Sequence, residues 1–207
     1  MRSVPDFNGP DSNWAIVVIG SKRIAVSSAS IDEILNFWFG ELSRKDWFRK
    51  DEALDSTIAW RFGTIYHQLR SGVPPSWLDT PEGILAAILV LDQFPRNMFR
   101  SDARCFATDA EALALAKRAI SEGMDVKLNP KQRAFVYMPF QHSEDPDDQA
   151  RAVALFSMLG NPLNLDFALG HKAIVDRFGR FPHRNFLLGR ASSQDEEAFL
   201  AKPGSSF

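Results

Sequence analysis

From residue 30 onward, the hydrophobic and polar positions of the chain repeat with the period of an α-helix. Apolar residues three or four positions apart run from Leu54 to Leu69 and predict an amphipathic helix over residues 51–70. Residues 84–91 are apolar at every position, so a helix there must be surrounded by other helices. No comparable alternation of apolar and polar residues, which is the pattern of a half-buried strand, follows residue 30. The pattern therefore predicts an all-α fold.

Helix starts are marked by capping residues. Proline is tolerated in the first turn of a helix because its missing N–H would be unpaired there in any case. Capping side chains precede proline at Thr80-Pro81, Asn129-Pro130, Asp145-Pro146 and Asn161-Pro162. Capping boxes, with Glu three residues after Ser or Thr, begin at Ser30, Thr108 and Ser193. Together these signals predict eight helices, over residues 31–39, 51–70, 81–94, 109–122, 130–138, 146–159, 162–178 and 194–201.

The predicted helices are short and closely spaced, which favours antiparallel pairs within a single domain over residues 30–207. Residues 1–29 form a leader with two short β-branched runs that meet near Lys22. A small hairpin is one prediction for the leader, and a disordered or non-native tail is the other. The leader does not have the pattern of a secretory signal, because Lys22 and Arg23 end its apolar stretch before any small-residue cleavage site.

Composition excludes several classes of protein. A net charge of -2 argues against a nucleic-acid protein that depends on phosphate contacts. The longest apolar run is shorter than the roughly 18 residues of a membrane span. Cys105 is the single cysteine, so an intramolecular disulfide and a cysteine-rich zinc site are both excluded. A soluble protein in the reducing cytoplasm is predicted, with Cys105 as a packing residue rather than a nucleophile.

Polar residues are concentrated around prolines in three places, which are residues 92–97, 137–145 and 177–185. Proline disfavours a helical conformation at the residue before it, so each place is predicted to be a turn that directs its polar side chains away from the helix axis. We expect the three turns to converge in the folded protein. The residues predicted to share one neighbourhood are Asp92, Arg96, His142, Glu144, Arg180 and His183.

Several motifs resemble those of a bacterial family known as domain of unknown function 924. They are FWFG at 37–40, LDQFPRN at 91–97, YMPFQHSED at 137–145, RFGRFPHRN at 177–185 and LGR at 188–190. The resemblance covers roughly residues 31–207 and departs at Phe140 and Gln141, where Leu and Glu are commoner in the family. It implies a fold similar to tetratricopeptide α-helical superhelices. The family has no established biochemical function, so the resemblance implies no reaction.

The first functional hypothesis is a pocket for a small anionic or polar ligand. Guanidinium groups bind carboxylate or phosphate through paired N–H donors, and arginines are frequent in the three clusters. The predicted ligand-binding residues are Asp92, Gln93, Arg96, Asn97, His142, Glu144, Asp145, His171, Arg177, Arg180, His183, Arg184 and Asn185. In the alternative interpretation, the arginines are neutralised internally and the cluster is a structural ion network. The acidic partners for such a network are Asp92, Glu144, Asp145 and Asp176.

The second hypothesis is a small-molecule enzyme that uses acid–base chemistry, with His142, Glu144 and His183 as the catalytic candidates. A metal could also be held by these three residues together with Asp145 and His171, since imidazoles and carboxylates are ligands of zinc and iron. The deaminase signature and the His-Glu-x-x-His motif are both absent from the sequence. No metal and no cofactor are therefore predicted.

The third hypothesis is a protein-interaction module that binds a peptide or protein partner in a helical groove. Its aromatic anchors would come from Trp38, Trp47, Phe48, Trp60 and Trp77. The alternative for each of these residues is packing in the core. The sequence leaves the choice between a ligand and a protein partner open, and it does not determine the oligomeric state.

Overall fold

The computed structural model describes residues 14–19 and 22–205, and it describes side chains over residues 31–205. Two antiparallel strands, β1 (Trp14–Ile19) and β2 (Lys22–Ser27), pair with Trp14 opposite Ser27, which corresponds to the hairpin alternative for the leader. The helices are α1 (Ser28–Asn36), α2 (Arg44–Trp47), α3 (Glu52–Ser71), α4 (Pro75–Leu78), α5 (Pro81–Ile88), α6 (Phe94–Met98), α7 (Asp109–Ser121), α8 (Pro130–His142), α9 (Pro146–Leu159), α10 (Pro162–Phe178) and α11 (Gln194–Leu200). Residues 28–205 contain no strand, so the predicted all-α class is confirmed.

The capping signals located most helix starts correctly. Thr80, Asn129, Asp145 and Asn161 each accept a hydrogen bond from a first-turn N–H of the helix that follows. The capping box at Ser193 is also formed. The other two predicted capping boxes, at Ser30 and Thr108, are wrong. Helix α1 begins at Ser28 and includes Ser30, and the Thr108 hydroxyl donates to the Leu91 carbonyl oxygen instead of capping α7.

Helix α5 is the centre of the core. Every side chain from Ile84 to Leu91 is fully buried, as the uninterrupted apolar run predicted. Helices α1, α4, α7 and α8 all pack against α5. The approach of α4 is especially close, because a methyl group at Gly83 would lie 2.3 Å from the Trp77 carbonyl oxygen. Aromatic side chains such as Phe62, Phe94 and Phe135 fill the space around α5.

The predicted turns at two of the three prolines are wrong. A π-helical segment, Leu89–Gln93, joins α5 to α6, and Pro95 lies in the first turn of α6, where its missing N–H is tolerated. Helix α8 continues through Pro139 to His142. Only the third place is a turn, since α10 ends at a left-handed Gly179 and a short 3-10 helix follows at Pro182–Arg184. The polar side chains of the first two places therefore project from helices.

Helices α8, α9 and α10 pack consecutively, each against the next. Among the residues that the structure describes, none of the helices is both long enough and apolar enough to cross a bilayer.

Candidate functional site

The π-helical segment places a carboxylate inside the protein. Asp92 is completely buried, and Gln93 next to it is nearly so. A π turn widens the helix and disrupts its regular hydrogen bonding, and such segments are frequent at functional sites. Two carbonyl oxygens of the segment accept hydrogen bonds from side chains, the Leu91 oxygen from Thr108 and the Asp92 oxygen from Arg96. These bonds stabilise the irregular backbone that holds Asp92 in place.

The Asp92 carboxylate has three side-chain partners. His142 Nδ1 lies 2.8 Å from Oδ1, Gln93 Nε2 donates to Oδ2 over 2.6 Å, and Arg96 Nη1 lies 3.3 Å from Oδ1. Burial raises the pKa of Asp92, but the charge of Arg96 and the hydrogen bonds from His142 and Gln93 outweigh burial and hold the pKa well below its usual range. Asp92 is therefore ionised at neutral pH although it is buried.

Asp109, which was not among the predicted site residues, joins two of the arginines. It accepts two bonds from Arg96, at 2.9 and 3.0 Å, and a third from Arg184 at 3.2 Å. Its position in the first turn of α7 also favours a negative charge. Two arginines thus face two aspartates, Asp92 and Asp109, and their charges balance. This geometry supports the structural ion network. Asp109, and not only the acidic residues predicted from the sequence, neutralises the arginines.

His142 is held on a fixed helix end. The last carbonyl groups of a helix lack partners within the helix, and two side chains satisfy them at the end of α8. Gln149 Nε2 donates to the carbonyl oxygens of Gln141 and Ser143 at 2.7 and 2.6 Å. Arg184 Nη2 donates to the His142 carbonyl oxygen at 2.9 Å. Side chains of α9 and of the 3-10 helix at Pro182–Arg184 therefore fix the backbone that carries the imidazole.

The imidazole of His142 is neutral at pH 7. Burial and the charge of Arg96 lower its pKa, and they outweigh the opposite effect of Asp92. A neutral imidazole has one N–H, and the ionised Asp92 can only accept, so Nδ1 carries the proton and donates it to Asp92. Within residues 31–205, Nε2 makes no hydrogen bond, and the side chain is 13% exposed. Nε2 of this neutral imidazole is thus a hydrogen-bond acceptor without a partner among residues 31–205.

Two further histidines lie beside His142. The ring centroids of His142 and His171 are 6.2 Å apart, and Phe181 lies 5.6 Å from both His171 and His183. Burial lowers the pKa of His171 to about 3 with a further contribution from His142, and it lowers the pKa of His183 to about 4 with a contribution from Arg184. His171 Nδ1 donates to the Phe167 carbonyl oxygen. Three of the four histidines in the sequence are therefore gathered here, all neutral at pH 7.

Glu144 lies next to this group but is occupied. It forms two bonds with Arg190, at 2.7 and 2.9 Å, and accepts the backbone N–H of Phe181 at 2.8 Å. Burial raises the pKa of Glu144, yet Arg190 and the Phe181 N–H lower it more, so the net pKa is below the usual range. Glu144 is therefore a charged structural partner that fastens the Phe181 backbone, and its lone pairs are not free to act as a base.

The remaining predicted site residues make contacts elsewhere. Asn97 donates to Asp55 of α3, Asp145 caps α9, Arg177 lies over the Phe178 ring, and both Arg180 and Asn185 bond Glu196 of α11. Arg177 and Arg180 line a separate open cavity of about 390 Å³ with Phe178, Ser193, Asp195 and Glu196. The structure thus brings Asp92, Arg96, His142, Glu144 and His183 into one region, as expected, whereas Arg180 faces α11. Asp176, proposed for the ion network, pairs with Lys172 instead.

Sequence reasoning missed the residues that support the region, namely Asp109, Gln149, Arg190 and Glu196. Asp109, Arg190 and Glu196 bond the predicted residues Arg96, Glu144 and Arg180 from other elements of the fold, whereas Gln149 bonds the backbone at the end of α8. The sequence signals at Arg190 and Glu196, a family motif and a capping box, did not mark either as a site residue. No group of three or more His, Cys, Asp and Glu side chains within the described residues is arranged to hold a metal ion. Burial raises the pKa of the Cys105 thiol to about 11, so Cys105 stays protonated at neutral pH.

A family model described as a bacterial protein of unknown function (DUF924) matches residues 34–204. The chain belongs to the DUF924 family. The DUF924 fold seen here is similar to a solved structure from Agrobacterium tumefaciens, titled a protein of unknown function, ATU0120. The two share 40% sequence identity and a TM-score of 0.80, and the match covers 84% of this chain and 98% of the other. No curated protein matches this DUF924 chain.

Proposed function

We propose that this DUF924 protein binds a small polar molecule at the histidine corner, which we define as Asp92, His142, His171, Phe181 and His183. The observation that carries the proposal is the 2.8 Å hydrogen bond between His142 Nδ1 and the buried Asp92 carboxylate. It fixes the imidazole orientation and leaves Nε2 as an acceptor on a side chain that is 13% exposed. A fixed acceptor in a mostly buried setting distinguishes ligands by whether they can donate a hydrogen bond to it.

The charges around the corner favour a ligand that donates hydrogen bonds over one that is strongly anionic. Arg96 and Arg184 already bond Asp109, so an anion could reach their N–H groups only by competing with that carboxylate. A hydroxyl, amine or amide group meets no such competition at His142 Nε2. The predicted ligand class is therefore narrowed to small neutral or zwitterionic polar molecules.

The test is a thermal-shift screen of polar metabolites on the full chain, followed by titration calorimetry with variants. His142→Asn removes Nε2 but keeps an amide N–H near the position of Nδ1, so the bond to Asp92 can persist. We expect a ligand that stabilises the wild type to lose at least about 10-fold in affinity in this variant, as a charge-supported hydrogen bond would predict. His67→Asn, at the exposed fourth histidine, is the matched control and should bind normally. A ligand that binds His142→Asn as tightly as the wild type would contradict the proposal.

A second candidate, a small-molecule enzyme, is favoured by the same Asp92–His142 pair. A neutral imidazole whose Nδ1–H is held by a carboxylate is the arrangement of a general base, because the carboxylate stabilises the imidazolium formed when Nε2 takes a proton. His142 is then the candidate base, and it would act on a hydroxyl group or water of the bound molecule. Glu144 is not part of this proposal because Arg190 holds it.

The enzymatic candidate is tested by incubating the wild-type protein with each ligand found in the screen and following product by NMR. We expect Asp92→Asn to lower the turnover rate at saturating ligand at least about 100-fold, since general base catalysis contributes about that much. If the wild-type protein binds a ligand but forms no product, the ligand-binding proposal stands and the enzymatic proposal is refuted.

We also propose a cytoplasmic location and a tetratricopeptide-like superhelical arrangement. The location is supported by the single, buried and protonated cysteine, which suits a reducing compartment. The arrangement is supported by the consecutive packing of α8, α9 and α10. Solution scattering compared with that of a regular tetratricopeptide array would test the arrangement, and immunolocalisation or fractionation in the native host would test the location.

A further inference from the structure

The third hypothesis from the sequence named five aromatic residues as anchors for a partner, and the structure separates them. Trp38 and Trp77 are each 1% exposed and belong to the core. Trp47 is partly buried and stacks on Trp38. Phe48 is 62% exposed, but its ring contacts Trp47. Trp60 lies on α3 and is 85% exposed. A tryptophan exposed to this degree forfeits the stabilisation that burial of its large apolar surface would give.

Trp60 lies in the middle of a helix face that carries no Asp, Glu, Lys or Arg. At 100° per residue, the residues within about 40° of Trp60 on α3 are Ala53, Ser56, Thr64, His67 and Ser71. All of them are exposed. Surface helices usually place charged residues opposite their buried stripe, and here the opposite face is uncharged along the whole length of α3. Such a face can be covered without burying an unpaired charge.

Gly63 adds an independent observation on the same side of α3. Glycine in the middle of a helix lowers the stability of the protein relative to alanine. Its φ angle is not positive, and a methyl group placed on it would meet nothing within 4 Å. No contact with the residues that the structure describes therefore requires a glycine here. A second backbone or a large side chain that approaches α3 from outside would require one.

The charges at the ends of α3 indicate what approaches. Glu52 and Arg70 lie on the same edge of the uncharged face and are both exposed. Their midpoint along the helix is residue 61, next to Trp60. Two copies of α3 that pack antiparallel about a two-fold axis at this midpoint bring Glu52 of each copy opposite Arg70 of the other. The same arrangement brings each Trp60 to the other copy's Gly63.

We propose that α3 is the interface of a homodimer, in which two antiparallel α3 helices bury the two Trp60 side chains against the two Gly63 positions. Helix α3 has 20 residues and is about 30 Å long, so the contact is a single helix pair and lies at the small end of stable interfaces. Dimerisation is therefore expected to depend on protein concentration. Charge pairing between Glu52 and Arg70 sets the register of the two helices.

The test is sedimentation equilibrium of the full chain over a range of concentrations. We expect a monomer–dimer equilibrium in the wild type. Trp60→Ala should raise the dimer dissociation constant at least about 30-fold, the effect of losing a central aromatic anchor. Phe186→Ala, at an equally exposed aromatic residue outside α3, is the matched control and should leave the constant unchanged. Circular dichroism at low concentration checks that both variants fold.

The charge pairs allow a test that only a second copy can pass. Glu52→Arg alone places arginines opposite each other, Arg70→Glu alone places glutamates opposite each other, and each variant should be mainly monomeric. An equimolar mixture of the two variants restores both opposite-charge pairs and should dimerise as the wild type does. A wild-type protein that stays monomeric at every concentration would overturn the proposal. So would a dimer that is insensitive to Trp60→Ala, or single charge variants that dimerise as well alone as in the mixture.

Discussion

Replacing Asp109 by asparagine tests whether the arginines of the corner depend on internal carboxylates. Asp109 bonds both Arg96 and Arg184, and their side chains are only 22% and 9% exposed. Removing one partner of a buried ion pair costs about 3–5 kcal/mol because the remaining charge stays buried. Asp109 itself is 19% exposed and the asparagine oxygen can still accept one bond, so we expect a loss of about 2–3 kcal/mol in the free energy of unfolding.

The assay is urea denaturation of Asp109→Asn beside a control that isolates the helix-dipole effect. Asp147 also lies in the first turn of a helix, α9, but is exposed. Asp147→Asn should cost no more than about 0.3–1 kcal/mol, the value of a first-turn charge. If Asp109→Asn destabilises the protein as little as Asp147→Asn does, the arginines do not need Asp109 and the ion network described above is incorrect.

Three further predictions concern the elements around the corner. The folded pKa values of His171 and His183 lie near 3 and 4, so these side chains take up protons at a higher pH in the unfolded chain than in the folded protein. The free energy of unfolding should therefore fall by about 2–4 kcal/mol from pH 7 to pH 5, a range above that in which carboxylates protonate. Equal stability in urea at both pH values would contradict this. Gly83→Ala should destabilise the protein by about 1–3 kcal/mol despite the better helix propensity of alanine, since its methyl would press on the backbone of Trp77, and a rise in melting temperature would show that α4 does not pack as described. Gln149→Leu should cost about 2 kcal/mol by leaving carbonyl groups at the end of α8 unpaired, and amide exchange near that end should accelerate; unchanged exchange would refute the cap.

The helices could be predicted from the sequence because their starts are set by local chemistry. Asn129, Asp145 and Asn161 cap the helices that follow them through N–H groups two or three residues away, and no distant contact is needed. Thr108 shows the limit of this reasoning. Its hydroxyl donates to the Leu91 carbonyl oxygen in the π-helical segment, so a tertiary contact replaces the local cap.

The candidate site could be predicted only in part. The proline motifs drew attention to Asp92 and His142, which lie 2.8 Å apart in the fold, but the expected turns at Pro95 and Pro139 are continuous helices. Pro139 lies inside α8, although proline ordinarily disfavours the interior of a helix, so the local rule predicted a turn where the fold keeps a helix. The sequence also could not predict which carboxylate each arginine pairs with. Arg180 pairs with Glu196, which the packing of α11 brings close to it, and not with a carboxylate nearby in the sequence.

The most direct test of the account is the protonation state of His142, measured by nitrogen-15 NMR of the histidine side chains in the full chain. We predict that the His142 ring is neutral at pH 7, with the proton on Nδ1 and none on Nε2, and that its pKa lies below the ordinary value for histidine. Asp92→Asn should disturb this signal while leaving that of His67 unchanged. A ring of His142 that is charged at pH 7, or that carries its proton on Nε2, would contradict the proposed acceptor and with it the proposed ligand site.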